Sequence, residues 1–164
     1  MLSTQDFVTA IEIDRYYDNA YHNLGNIYLI QKNFNGALEQ LNKAISCNSE
    51  KGRYYYTRAG IYCKMKQIDR AFEDFDRALT YDPYLWEAFL DRGGLYYEQG
   101  KYREAVSDFS KVLELNPKIA KAYFYRAIAY LNIKKNQQAC VDLNNACKLG
   151  HQEACLQYDK LSCN

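Results

Sequence analysis

Cysteine, histidine and recurring arginine–aspartate couples are the residues of this chain whose types could do chemistry. Six cysteines occur, and Cys140, Cys147, Cys155 and Cys163 all fall in the last quarter. As zinc ligands they fit poorly. Cys140 and Cys147 are seven residues apart, roughly 10 Å along a helix axis, too far for one ion with bonds of about 2.3 Å. No Cys-x-x-Cys is present, and His22 and His151 stand apart in sequence, so neither makes a site. Metal and cofactor are both expected to be absent. Gly-x-x-x-x-Gly-Lys, His-Glu-x-x-His and Gly-x-Ser-x-Gly are missing too, and neighbouring acids such as Glu73-Asp74 read as ordinary charges on helices. These observations predict a protein that is not an enzyme.

The charged couples are more regular. Arg58, Arg92 and Arg126 are each followed 16 residues later by Asp74, Asp108 and Asp142. One step earlier the same places hold Leu24 and Gln40. The two residues come and go together, which is expected of structural pairs and not of a row of basic ligand sites. Losing one member of a buried pair would cost roughly 3–5 kcal/mol, and far less if the pair is exposed.

The elements that must hold these couples repeat every 34 residues. Gly25, Ala59, Gly93 and Ala127 are spaced by 34 without insertion. Four residues before each stands Tyr21, Tyr55, Phe89 or Tyr123, and three after stands Tyr28, Tyr62, Tyr96 or Tyr130. Twelve after come Ala37, Ala71, Ala105 and Ala139, then Leu41, Phe75, Phe109 and Leu143, then Ala44, Ala78, Val112 and Ala146. Spacings of i, i+4, i+7 put each set on one helical face. Small residues let the two helices approach and large ones fill the groove beside them. Pro83 and Pro117 stop the second helix, with Ser49 and His151 in the other two places.

This pattern resembles the tetratricopeptide repeat (TPR) family. The stretch Phe89-Leu90-Asp91-Arg92-Gly93-Gly94-Leu95-Tyr96, followed by Ala105, Phe109 and Pro117, carries the likeness best. The resemblance implies an all-α, right-handed superhelical solenoid of antiparallel helix pairs. Repeats are expected at 18–51, 52–85, 86–119 and 120–153, after an N-terminal half repeat over 1–17 whose single helix spans 3–14. A capping helix is expected within 151–164, after Gly150 ends the last repeat in the left-handed conformation. Val112 for a small residue, Asn136 for an aromatic and the two missing prolines depart from the family pattern.

Residues 146–155 also look like the related Sel1-like repeats, some of which carry a disulfide between cysteines placed as Cys147 and Cys155 are here. Such a bond would staple the last repeat to the cap. Without a visible export signal the expectation is instead buried free thiols and a cytoplasmic protein, or a periplasmic or secreted one if a leader has been removed.

In this family the first helices line a concave face, and the resemblance carries that role to four sets of positions. They are Asn19, His22, Asn26 and Leu29; Arg53, Tyr56, Gly60 and Cys63; Glu87, Leu90, Gly94 and Tyr97; and Lys121, Phe124, Ile128 and Leu131. Asn23, Thr57, Asp91 and Tyr125 flank them. Of the clamp that holds a C-terminal carboxylate in chaperone-binding relatives only Asn26 matches, and Glu87 and Asp91 would repel a carboxylate. The expected contact surface is Asn26, Arg53, Tyr56 and Lys64 with Glu87, Asp91, Tyr97, Glu98, Phe124 and Tyr125. Its rings would take an apolar anchor of a peptide or helix. The competing expectation is a structural segment that self-associates through the N-terminal edge, where Phe7 and Ile11 would seek a partner.

Composition bounds the rest. The 164 residues carry 21 Lys plus Arg against 20 Asp plus Glu, so no strong field favours nucleic acid or an anionic membrane. No apolar run approaches the ~18 residues of a membrane span. Tyrosine, at 17 residues, is the outlier, and the repeat accounts for part of it.

Overall fold

The computed structural model describes residues 4–163. Within them are ten helices and no strand. They are α1 (Thr4–Ile13), α2 (Asp18–Ile30), α3 (Phe34–Cys47), α4 (Gly52–Lys64), α5 (Ile68–Tyr81), α6 (Trp86–Glu98), α7 (Tyr102–Leu115), α8 (Ala120–Asn132), α9 (Asn136–Lys148) and α10 (Gln152–Lys160). The chain divides into two compact units, Met1–Leu85 and Trp86–Asn164. The first holds α1 and the pairs α2/α3 and α4/α5; the second holds α6/α7, α8/α9 and α10.

Helix faces follow the 34-residue pattern. Ala37, Ala71, Ala105 and Ala139, the large apolar residues after them, and Ala44, Ala78, Val112 and Ala146 are all fully buried. Val112 is therefore accommodated as an ordinary core residue. Gly93 shows why a small residue is required on the first helix, because an added Cβ would lie 2.9 Å from Phe109 Cε1. Its neighbour Gly94 behaves otherwise: nothing lies within 4 Å of its Cβ position. Of the two, only Gly93 is a packing glycine.

Two backbone devices recur at the same period. Each first helix closes with paired bonds in which the amide after a left-handed residue reaches back to a tyrosine carbonyl. Asn33, Gln67, Lys101 and Lys135 N–H donate to Tyr28, Tyr62, Tyr96 and Tyr130 O at 2.9 Å each. The left-handed residues are Lys32, Lys66, Gly100 and Lys134, and only one of these is glycine. Gly150 adopts the same region, φ 89°, at the end of α9.

The second device sits where each second helix stops. Asp14, Asn48, Asp82 and Asn116 accept, through side-chain oxygen, the N–H two residues ahead at 2.9, 3.3, 3.1 and 3.2 Å. These residues are 34 apart, so repeats without proline turn by the same means. Several helices lack a side-chain cap at the N-terminus, as at Lys51, Gln67, Lys101 and Lys135. Their ends rely on tertiary packing, as short helices generally do.

The expected leading helix is α1. It packs on α2 with no residue buried; Phe7 and Ile11 are half-buried and Ile13 is 83% exposed.

The cysteines correct the expectation of free thiols. Cys147 bonds to Cys155 across Gly150, with Cα atoms 4.8 Å apart, and Cys140 bonds to Cys163, with Cα atoms 5.4 Å apart. Both separations suit a disulfide. The antiparallel turn from α9 into α10 brings each pair face to face, a proximity that spacing along one helix does not reveal.

Candidate functional site

Each arginine couple is a two-pronged ion pair between the helices of one repeat. Arg58 Nε and Nη2 donate to the carboxylate of Asp74 at 2.6 and 2.8 Å. Arg92 meets Asp108 at 2.8 Å on both prongs, and Arg126 meets Asp142 at 2.7 and 2.8 Å. The aspartates are buried and the arginines half-buried. Burial opposes the charge on Arg58 and Arg126, yet the carboxylate bonds outweigh it and raise both guanidinium pKa values.

Each guanidinium also lies between the two aromatic rings of its own helix. The rings are Tyr55 and Tyr62 for Arg58, Phe89 and Tyr96 for Arg92, and Tyr123 and Tyr130 for Arg126, at 5.5–6.0 Å. Five of the 17 tyrosines take part in this arrangement. A further bond ties two of them to the preceding second helix: Arg58 Nη1 to Asn42 Oδ1 at 2.6 Å, and Arg126 Nη1 to Ser110 Oγ at 3.0 Å. These arginines therefore serve the fold and are not offered to solvent as a ligand row.

In the unit Met1–Leu85, the face shared by α2 and α4 is built on polar contacts. Tyr54 is 1% exposed, where Ala20 occupies the equivalent place one repeat earlier. Its hydroxyl donates to Asn19 Oδ1 at 3.1 Å, an atom that also accepts from Lys51 Nζ at 3.1 Å. Asp18, on the same helix, accepts from Asn48 Nδ2 at 3.0 Å. Burial raises the Asp18 pKa, but bonds from Tyr54, Asn48 and the Asn19 amide, with the Lys51 charge, bring it below the usual value.

Beside them His22 stacks against Tyr54 with centroids 4.9 Å apart and shares a bond with Thr57 Oγ1 at 3.1 Å. Asn26 Nδ2 lies 3.4 Å from His22 Nε2. Burial, with the Arg53 and Lys51 charges and against that of Asp18, pushes the His22 pKa down to about 4. His22 is thus a neutral polar link near pH 7. Arg53 lies 5.8 Å over the Tyr56 ring, and Lys64 is exposed at the end of α4. Sequence reasoning placed Asn26, Arg53, Tyr56 and Lys64 here but missed Tyr54. The signal was a large aromatic where the three other repeats have alanine.

In the unit Trp86–Asn164, the face shared by α6 and α8 is aromatic. Leu90, Tyr97, Tyr102 and Tyr125 pack as half-buried residues around Ala105, Phe109 and Ala129. Tyr97 meets Tyr102 edge-on at 5.4 Å, Tyr125 stacks on Phe109 at 5.9 Å, and Lys121 Nζ sits 5.4 Å above the Tyr125 ring. Gly94 lies on the same helix between Leu90 and Tyr97, and a Cβ added there would meet nothing within 4 Å. Asp91 and Glu98 are exposed on the same helix and Glu87 is half-buried.

Phe124 departs from the expected arrangement. It is 7% exposed, its ring stacks on His151 at 4.3 Å, and it packs with Ala127, Leu143, Ala146 and Ala154. It is a core residue under the cap, in tilted contact with Tyr125 at 5.7 Å, and is not a surface ring.

Among the described residues, no cluster of three or more histidine, cysteine or acidic side chains is placed to hold a metal. None of the described helices is long and apolar enough to cross a membrane.

Consecutive antiparallel helix pairs with small residues at the crossing define a helical-repeat protein. Tetratricopeptide repeat patterns match residues 18–51, 52–84, 86–119 and 109–141, so the chain belongs to the tetratricopeptide repeat family.

No curated protein is significantly similar to it in sequence. Among solved structures, MamA shares the fold with a TM-score of 0.81 at 18% identity, covering 92% of this chain and 88% of that one. YrrB, described as a TPR protein with an unusual peptide-binding site, has a TM-score of 0.76 at 24% identity, covering 96% and 81%. The TPR domain of Arabidopsis OM64 has a TM-score of 0.64 at 27% identity, covering 68% and 93%.

Proposed function

We propose that this chain is a non-catalytic protein–protein interaction module, and that the α6/α8 face takes an apolar side chain of an extended peptide or helix. The observation that carries the reading is the open Cβ position at Gly94, on the helix whose Leu90 and Tyr97 pack with Tyr125 against one apolar cluster. Rigid rings give contact area at low entropic cost. Glu87, Asp91 and Glu98 lie along the same helix and favour a ligand with basic residues next to its anchor. Within Met1–Leu85, and as a separate contact, Arg53 and Lys64 favour an acidic side chain. The peptide-binding site named for YrrB supports this class of reading, and the Cys147–Cys155 bond supports the Sel1-like character of the C-terminal stretch.

A peptide array followed by calorimetry tests the site. Affinity should be on the order of micromolar, because a flexible peptide loses ordering entropy on docking. Gly94→Leu puts a bulky side chain on this face where the Cβ itself meets no neighbour, so it should abolish binding with the fold retained. Binding undiminished in Gly94→Leu and in Tyr97→Ala with Tyr125→Ala would exclude the face.

Self-association is a second reading, favoured by the exposure of Ile13 and Tyr16 beside α1. It requires a concentration-dependent mass in sedimentation that disappears on removing residues 1–14.

A further inference from the structure

The last helix is too weakly packed to hold its place alone. α10 has nine residues, Gln-Glu-Ala-Cys-Leu-Gln-Tyr-Asp-Lys, and its one buried residue is Ala154. Helices this short are marginal in water without tertiary support. Tyr158 packs partly on the core, while Leu156 is 70% exposed. A cavity of about 430 Å³ lies beside α9 and the C-terminal end of α10, lined by Gln137, Val141, Asn144 and Tyr158 among others.

The two disulfides sit where packing is thin. Cys147–Cys155 ties the first turn of α10 to the end of α9, and Cys140–Cys163 ties the third residue after α10 to α9 two turns earlier. The bonds are nested, with sequence separations of 8 and 23, and they pin both ends of the helix. Beneath α10 lie Phe124, Leu143 and Ala146, with His151 stacked on the Phe124 ring. Cys47 and Cys63, in the other unit, take part in neither bond.

We propose that α10 is a redox-held cap: the chain matures in an oxidising compartment, and reduction of both bonds releases α10 and uncovers the Phe124 face. Disulfides persist in such compartments and are rare where thiol reductants are abundant. Each release step consumes one dithiol. Its two electrons and two protons convert the protein disulfide into two cysteine thiols, and the dithiol leaves as a disulfide. Two bonds acting at opposite ends make the cap resistant to loss of either one alone.

Hydrogen exchange on the full chain, with thiols counted by alkylation after denaturation, tests this. Protein made in an oxidising compartment should show two alkylated cysteines, rising to six after dithiothreitol. Amides of residues 152–160 should then exchange at least tenfold faster, with α2–α7 unchanged. The Cys140→Ser, Cys163→Ser variant should keep most of its α10 protection until the remaining bond is reduced. Six alkylated cysteines before reduction would overturn the proposal. So would α10 protection unchanged within twofold in the fully reduced chain, or a loss that spreads equally through α2–α7.

Discussion

The two units use the same period and stabilise their helices by different means. Trp86–Asn164 carries an Arg–Asp pair in each of its two complete helix pairs, and its last helix is cross-linked twice. Met1–Leu85 has that pair only in α4/α5, while α2/α3 is closed by Leu24, which is 5% exposed. Between α2 and α4 the first unit inserts the buried Tyr54 and its polar partners, whereas Ala88 and Ala122 occupy the equivalent places in the second unit. A repeat position therefore accepts an apolar residue or an ion pair, provided that both members of the pair change together. Tyr21 and Tyr28, the counterparts of the rings that sandwich each arginine, are present in the first repeat although its arginine is not.

The largest effect should come from leaving one member of a pair alone. Arg126→Leu strands the buried Asp142 and should cost about 3–5 kcal/mol, with Arg126→Leu, Asp142→Leu clearly milder. The reciprocal experiment puts the couple where it is missing. Leu24→Arg alone should destabilise by about 2–4 kcal/mol, and adding Gln40→Asp should recover most of the loss. Denaturant midpoints that simply add in both cycles would break the comparison.

A smaller effect separates the units by pH. His22 is held at about 4, below its ordinary value of 6.5, so the folded state keeps it neutral where the unfolded chain takes up a proton. Its contribution is complete above about pH 6.5 and is lost as pH falls towards 4. With allowance for solvent screening the loss is about 1–2 kcal/mol. Hydrogen exchange between pH 7 and 4.5 should show α2 and α4 loosening, and His22→Phe should flatten that dependence. An equal slope in the variant would assign the effect elsewhere.

The smallest effect concerns the turns. Lys66 holds φ 58° where Gly100 holds φ 72° one repeat later. Lys66→Gly should stabilise by about 0.5–1 kcal/mol and Gly100→Lys should destabilise by a similar amount. Thermal melts of the two variants moving in the same direction would contradict this reading.

Much of the architecture was legible because a helix repeat is nearly one-dimensional. Small and large residues at i, i+4, i+7 mark the same crossing in every copy, and each copy chiefly meets its neighbours. The co-occurrence of Arg and Asp across the repeats likewise pointed to a contact. The chain-turning residues Asp14, Asn48, Asp82 and Asn116 are equally periodic, and they turn the chain whether or not a proline follows.

At the candidate site, Tyr97 and Tyr125 pack against the same cluster, whereas Phe124 lies in the core under the cap. Its repeat position is half-exposed in His22, Tyr56 and Leu90, and only the cap covers it in the fourth repeat. A rule of position cannot carry that information, because the covering residue His151 sits in the turn into α10, beyond the two helices of the repeat.

The sequence alone determined the 34-residue period, the helix pairs, the packed small residues and the Arg–Asp coupling. These depend on spacing within a helix and between helices joined by a short turn. Tertiary structure decided which cysteines bond, that Gly93 is packed while Gly94 lies open, that Tyr54 is buried among polar partners, and that Phe124 is covered. Each of these depends on which surface another element presents, and that is set by the path of the chain through space and not by residue spacing.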